Sequence, residues 1–241
     1  MLAVVVAIAT TGCHRGVTSP DHTSGHPVLF IGNSLTYVND LPGIVRKLGE
    51  ISGDSVDAWT LADPDVALVD FVANGRGPAT ILSYQWEYVV MQQGPSTVDV
   101  NRDTLIIGAQ ALDQYVKQIG ARSAMFMVWP DYSRQAYFDA CRDSYRAAAE
   151  AVGGLFLPAG EAWRAVWEKN AALQLYGGDG YHPSPLGSWV AALTIFERIT
   201  GHDVRTLPPE IVLANGEKLN VPEVTVRMIQ DAVHEVNSRY P

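Results

Sequence analysis

The sequence is poor in cysteine, poor in positive charge and without a run long enough to cross a bilayer. Its two cysteines, Cys13 and Cys141, form neither a disulfide framework nor a CxxC redox or metal motif, so a structural zinc site has no ligand set. Lys and Arg number 17 against 26 Asp and Glu, a formal net charge of −9. Nucleic-acid binding, which needs a concentrated basic face, is disfavoured. P-loop and zincin-type motifs are missing, so nothing calls for a metal or a cofactor. What is present is apolar material, 47% of 241 residues with 18% charged, enough for one sizeable α/β domain and too little for two.

The chain opens on an apolar run from Leu2 to Ala9, then Thr10-Thr11-Gly12-Cys13. The run is far short of the roughly 20 residues a spanning helix needs, and fits the apolar region of a secretory signal. Small residues leading into Gly12-Cys13 resemble a bacterial lipoprotein signal, with Cys13 as the lipidated residue, although no Lys or Arg precedes the run. Export to the periplasm or cell surface is the expectation, with membrane contact only through that anchor. Residues 14–26 are polar, with Gly, Ser, Thr, Pro and scattered histidines, and read as a tether. Residues 27–241 read as a single domain.

Val28-Leu29-Phe30-Ile31 runs straight into Gly32-Asn33-Ser34, which predicts a buried strand ending in a tight turn. A fully apolar strand, rather than an alternating one, belongs to a parallel sheet covered on both faces. Ile44, Val45, Leu48 and Ile51 follow at helical spacing, with Asp40 as cap and Gly53 as stop. A strand over 55–62 leads into Asp63-Pro64, read as the opening of a helix ending at Asn74-Gly75. Tyr88 to Gln92, Ser123 to Val128 and Leu155 to Leu157 are the next strands, alternating with helices whose inner stripes include Leu105, Leu112, Cys141 and Tyr145. Ser184-Pro185 caps a helix carrying Trp189, Leu193 and Phe196; a hairpin at Asn215-Gly216 and a last helix over 223–237 complete the chain. Repeated βαβ units give a five-stranded parallel sheet with right-handed crossovers.

Ligands gather at the carboxyl ends of the strands in such sheets, so a serine just after the first strand is placed for chemistry. Asp179-Gly180-Tyr181-His182 lies on a glycine-rich loop. A carboxylate three residues before an imidazole can fold back onto Nδ1, leaving Nε2 free to take a proton from a hydroxyl. Taken singly, Asn-Ser is also a common turn former and an Asp and a His in such a loop are often incidental.

Together, Gly32-Asn33-Ser34-Leu35-Thr36 and Asp179-Gly180-Tyr181-His182-Pro183-Ser184, with Gly187 beyond, resemble the first and last blocks of the SGNH (GDSL-type) hydrolases. The resemblance spans about residues 27–201. It implies a three-layer flavodoxin-like fold and ester hydrolysis through an acyl-enzyme, with Ser34 as nucleophile, His182 as general base and then acid, and Asp179 as orienting carboxylate. It implies an oxyanion hole from the Ser34 N–H, an amide after the second strand and a side chain after the third. Here those places hold Ala62 or Asp63 and Gln93, where the family usually has glycine and asparagine; Pro64 has no N–H to offer. Gln93 serves either as a donor or only as a turn former. Trp129, Tyr132 and Tyr37 follow strands, and either wall the acyl or sugar pocket or simply pack. The expected activity is removal of a small acyl group, such as acetyl, from a glycan or similar small-molecule ester. The alternatives are a lipid esterase or thioesterase with the same triad, and a catalytically weak glycan-binding protein.

Overall fold

The apolar stretch before Ser34 is the central strand of the sheet. In the computed structural model, which describes residues 25–240, β1 (His26–Gly32) has Val28 to Ile31 buried and pairs in parallel on both sides. Its neighbours are β2 (Val56–Ala62) and β3 (Tyr88–Met91), followed by β4 (Arg122–Phe126) and β5 (Leu155–Leu157), in the order β2-β1-β3-β4-β5. Backbone groups on both edges of β1 are thus satisfied by neighbours. Its side chains meet helices above and below, which is why the strand carries no polar alternation.

The helical layers follow from this winding. On one face lie α2 (Leu41–Ser52), α7 (Ala159–Lys169), α8 (Pro185–Thr200) and α9 (Glu223–Arg239), packed on one another. On the other lie α3 (Leu68–Ala73), α4 (Arg76–Leu82), α5 (Asp99–Gln118) and α6 (Phe138–Val152). A one-turn α1 (Ser34–Tyr37) directly follows β1. The chain therefore has the three-layer flavodoxin-like α/β fold, with its five-stranded parallel sheet. Strand order reverses between β1 and β3, and the crevice above such a reversal is where this architecture binds ligands.

Several local readings hold. The Asp40 carboxylate accepts from Gly43 N–H at 3.1 Å to cap α2, and Ser184 Oγ accepts from Gly187 N–H at 3.0 Å to cap α8. The hairpin pairs Ile211–Val212 (β6) with Lys218–Leu219 (β7). Cys141 is a buried small hydrophobe whose thiol donates to Val128 O at 3.3 Å, and burial pushes its pKa up.

Other readings need correction. Asp63-Pro64 does not open a helix. The Asp63 N–H bonds to Gly32 O at 3.3 Å, continuing the sheet ladder, and its carboxylate pairs with Arg76. The helix starts later, at Leu68, where Asp70 Oδ2 accepts from Ala67 N–H at 2.8 Å. The separate helix α4 lies beyond Gly75, whose left-handed φ of 74° breaks the apolar stripe. His26 belongs to β1 rather than to a tether, its Nδ1 2.7 Å from a Glu87 carboxylate oxygen. The signal-like segment 1–13 with Cys13, and the tether up to residue 24, lie outside the described residues. Among the described residues no helix is long and apolar enough to cross a membrane.

Gly187 shows how tightly α8 is seated below the loop that carries His182. A Cβ there falls on the Leu175 carbonyl oxygen and the Trp163 ring, while Trp163 Nε1 donates to Gly187 O at 3.0 Å. Gly187→Ala is expected to destabilise the fold by about 1–3 kcal/mol, because backbone rather than a flexible side chain must yield. Urea unfolding measures this, and a loss within ~0.5 kcal/mol of zero contradicts the packing described.

Candidate active site

Each residue of Gly32-Asn33-Ser34 has a local reason. A Cβ on Gly32 falls on Gln92 Oε1 and Thr36 Oγ1, so only glycine lets the strand end this close to its neighbours. Asn33 caps α1 through Oδ1, which accepts from Leu35 N–H at 3.1 Å and from Gln92 Nε2 at 2.9 Å. Its Nδ2 reaches across to Val66 O at 3.1 Å, tying the Ser34 turn to the loop after β2. Gln92 Oε1 accepts from Asn33 N–H at 3.0 Å and Thr36 Oγ1 at 2.7 Å. This buried network fixes the turn and leaves Ser34, 8% exposed, at the floor of an open cleft.

The loop carrying Asp179 and His182 is held from four directions. Gly177 N–H donates to His182 O at 2.7 Å and Ser184 N–H to Leu175 O at 2.8 Å, closing the loop on itself. Trp129 Nε1 donates to Tyr181 O at 3.1 Å, and Tyr132 N–H donates to Gly180 O at 2.8 Å. The Tyr176 hydroxyl donates to Pro130 O at 2.6 Å. Asn39 Nδ2 donates to Pro183 O at 3.0 Å and reaches Ser188 Oγ at 2.9 Å, so the segment after Ser34 holds the far end of the loop.

These restraints bring the three predicted side chains together. His182 Nε2 lies 2.9 Å from Ser34 Oγ, and His182 Nδ1 lies 2.6 Å from Asp179 Oδ2. Asp179 Oδ1 accepts from the N–H groups of Tyr181 and His182, both at 2.9 Å. The bond to the His182 ring, and then that from the Tyr181 N–H, hold the Asp179 carboxyl down at about 2. An ionised Asp179 accepts the Nδ1 proton, which turns the lone pair of Nε2 towards Ser34 Oγ. The arrangement can therefore take a proton from the serine as its oxygen attacks an electrophilic carbon, and return it to a leaving group.

The cleft beside Ser34 has a volume of about 310 Å³ and lies between the loops after β1, β2 and β3, with Tyr181 as one wall. Ala62 and Asp63 do not line it. Ala62 is a strand residue paired with Gly32, and Asp63 is bound to Gly32 O and Arg76. The stretch of that loop that reaches the cleft is Asp65 to Ala67. Gln93 lines the cleft, yet its amide is not free to donate: Oε1 accepts from Leu68 N–H at 3.2 Å, and Nε2 donates to Ser96 Oγ at 3.0 Å and Asn101 O at 3.1 Å. Among the described residues that line the cleft, Ser34, Asp65, Val66, Gly94 and Ser96 have backbone N–H groups without an acceptor. Those backbone amides, together with the unbonded side-chain amide of Asn101, are the donors available to an oxyanion.

None of the aromatic candidates lines this cleft, and Trp129 and Tyr132 bind the loop instead. Trp129 is fully buried and stacks on Trp163 at 3.6 Å, below the Tyr181 carbonyl it binds. Tyr132 is exposed and meets the ring of Tyr176 edge-on; Tyr37 is 38% exposed and does not line the cleft. Sequence reasoning missed Tyr181, Asn39, Gln92 and Tyr145. Tyr145 is buried in α6, and its hydroxyl donates to Gln93 O at 2.6 Å while accepting from Gln93 N–H at 3.1 Å. Only Tyr181 had a local signal, its place inside the Asp-x-x-His loop.

No family model matches the sequence, and no curated protein matches it. Solved structures do. A DUF4886 family protein from Bacteroides uniformis superposes with a TM-score of 0.71 at 19% identity, covering 88% of this chain and 94% of the other. A putative SGNH hydrolase from Slackia heliotrinireducens gives 0.61 at 24% identity, covering 73% and 99%. The fold is that of the SGNH hydrolases. An acetyl-xylooligosaccharide esterase variant from Geobacillus gives 0.56 at 17% identity, covering 73% and 94%. Within the SGNH fold, this chain keeps a serine after the first strand within hydrogen-bond distance of the loop histidine.

Because the folded pKa of Asp179 is depressed below its ordinary 3.8, its ionised form contributes stability above that value and loses it as pH falls towards about 2. Carbon-13 NMR of the carboxyl should place its midpoint near 2 in the native protein. In His182→Ala the midpoint should rise, since the largest cause of the shift is gone. A wild-type midpoint near 3.8 contradicts the bond between the two side chains.

Proposed function

We propose that this protein is a serine esterase that removes a small acyl group, acetyl foremost, from a glycan or a similar hydroxyl-rich ester through an acyl-enzyme. The observation that carries the reading is the unbroken relay from Asp179 through His182 to Ser34, at 2.6 and 2.9 Å. Ser34 Oγ attacks the ester carbonyl while His182 Nε2 takes its proton. The tetrahedral oxyanion is met by the Ser34 N–H and by free backbone amides of the cleft; His182 then protonates the departing alcohol. Water, activated by the same imidazole, attacks the acyl carbon and frees Ser34.

A small acyl group is supported by the cleft. Its lining is mostly polar, including Ser96, Asn101 and Thr104, and offers no long apolar trough for a fatty chain. The acetyl-xylooligosaccharide esterase among the structures of like fold agrees with that substrate class. The proposal includes export, resting on the apolar run Leu2 to Ala9 and on Gly12-Cys13, with Cys13 as a lipid attachment site.

A fluorophosphonate probe should label the wild-type protein and leave Ser34→Ala unlabelled. Among synthetic esters, kcat/KM should fall by about tenfold or more from acetyl to octanoyl, since a polar cleft gains nothing from added methylenes. Preference for the long chain favours a lipid esterase, and no labelling of any kind favours a binding protein on the same fold.

A further inference from the structure

The cleft beside Ser34 carries charge of one sign. Among the described residues no lysine or arginine lines it, and the one carboxylate in its lining is that of Asp65. Two other carboxylates near the Tyr181 wall are engaged. Asp179 holds the His182 ring and two backbone N–H groups, and Asp131 accepts from Ser133 N–H at 2.8 Å and Ser133 Oγ at 2.5 Å. The Asp65 carboxylate has no hydrogen bond or ion pair among the described residues. Asp65 also sits in the left-handed region, φ 56°, which aspartate and asparagine tolerate better than most residues. Tyr181 lines the same cleft, and its hydroxyl is held above its ordinary range first by burial and next by the charge of Asp65.

We propose that Asp65 is the charge filter of this cleft: it admits neutral and cationic esters, slows anionic ones, and drives out the carboxylate product. The inference rests on the serine-esterase reading. In that reaction water's oxygen joins the acyl carbon, the ester C–O bond breaks, and the alcohol leaves with a proton. Near neutral pH the acid released loses its own proton. A substrate that enters without charge thus becomes an anion beside an unpaired carboxylate. Repulsion acts on the product and not on the substrate, which speeds release without weakening substrate binding. The same field raises the barrier for any ester that arrives already anionic.

The test compares para-nitrophenyl butyrate with para-nitrophenyl hemisuccinate, acyl chains of similar length that differ in charge. Wild-type kcat/KM should favour the neutral ester by about tenfold at low salt, less as salt is added. Asp65→Asn, which keeps the left-handed backbone, should compress that preference to about threefold or less, and Asp65→Lys should abolish or invert it. Inhibition by acetate should tighten by about threefold to tenfold in Asp65→Asn. Identical preference and identical acetate inhibition in wild type and both variants overturn the filter while leaving the esterase reading intact. Failure of the wild type to hydrolyse either ester overturns both.

Discussion

The 2.9 Å between His182 Nε2 and Ser34 Oγ joins groups 148 residues apart in sequence, and most of what is unusual in this chain serves to hold that gap closed. Two polar side chains in a wet cleft do not stay in line through their own attraction, because water competes for both. The alignment is set by their supports. Under Ser34 these are Asn33 and Gln92, buried and saturated with hydrogen bonds. Under His182 they are carbonyl oxygens gripped by Trp129 and Asn39 and a backbone closed on itself by Gly177 and Ser184. Asn39 belongs to both sets: it follows Ser34 by a few residues, and its amide spans to Pro183.

The same region concentrates backbone strain. Among the described residues, the non-glycine residues with positive φ are Asn39, Asp40, Asp65 and Ser96, at 57°, 49°, 56° and 54°. Left-handed backbone costs most residues roughly 1–2 kcal/mol, and three of the four are Asn or Asp, for which local hydrogen bonding softens the cost. Each does something at the carboxyl edge of the sheet: Asn39 grips the histidine loop, Asp40 caps α2, and Asp65 and Ser96 line the cleft. A core that includes buried Trp129, Trp163 and Trp189 sustains such strain, and a site shaped by rigid turns keeps its geometry without ligand.

The fold was legible because it follows from periodicity. Fully apolar Val28 to Ile31 dictates a central parallel strand, and the alternation of strand and helix dictates the winding. The meeting of Ser34, His182 and Asp179 was legible because Asp179 and His182 are close in sequence and Ser34 follows the first strand. What was not legible depends on long-range hydrogen bonding. Gln93 reads as a donor until its amide is found bonded to Ser96 and Asn101. Trp129 reads equally as a pocket wall or as ordinary packing until its indole is found beneath Tyr181. Asp63-Pro64 carries a strong helix-start pattern, overridden because the sheet ladder extends one residue further to Gly32 O. In each case a local signal was right about the residue's chemistry and silent about its partner.

The central claim is that the imidazole of His182 makes Ser34 reactive, and the rate at which a fluorophosphonate modifies Ser34 measures that reactivity without any assumption about the natural substrate. The account predicts that His182→Ala slows modification of Ser34 by about a thousandfold or more with the fold intact by circular dichroism. Equal rates in wild type and His182→Ala would contradict it.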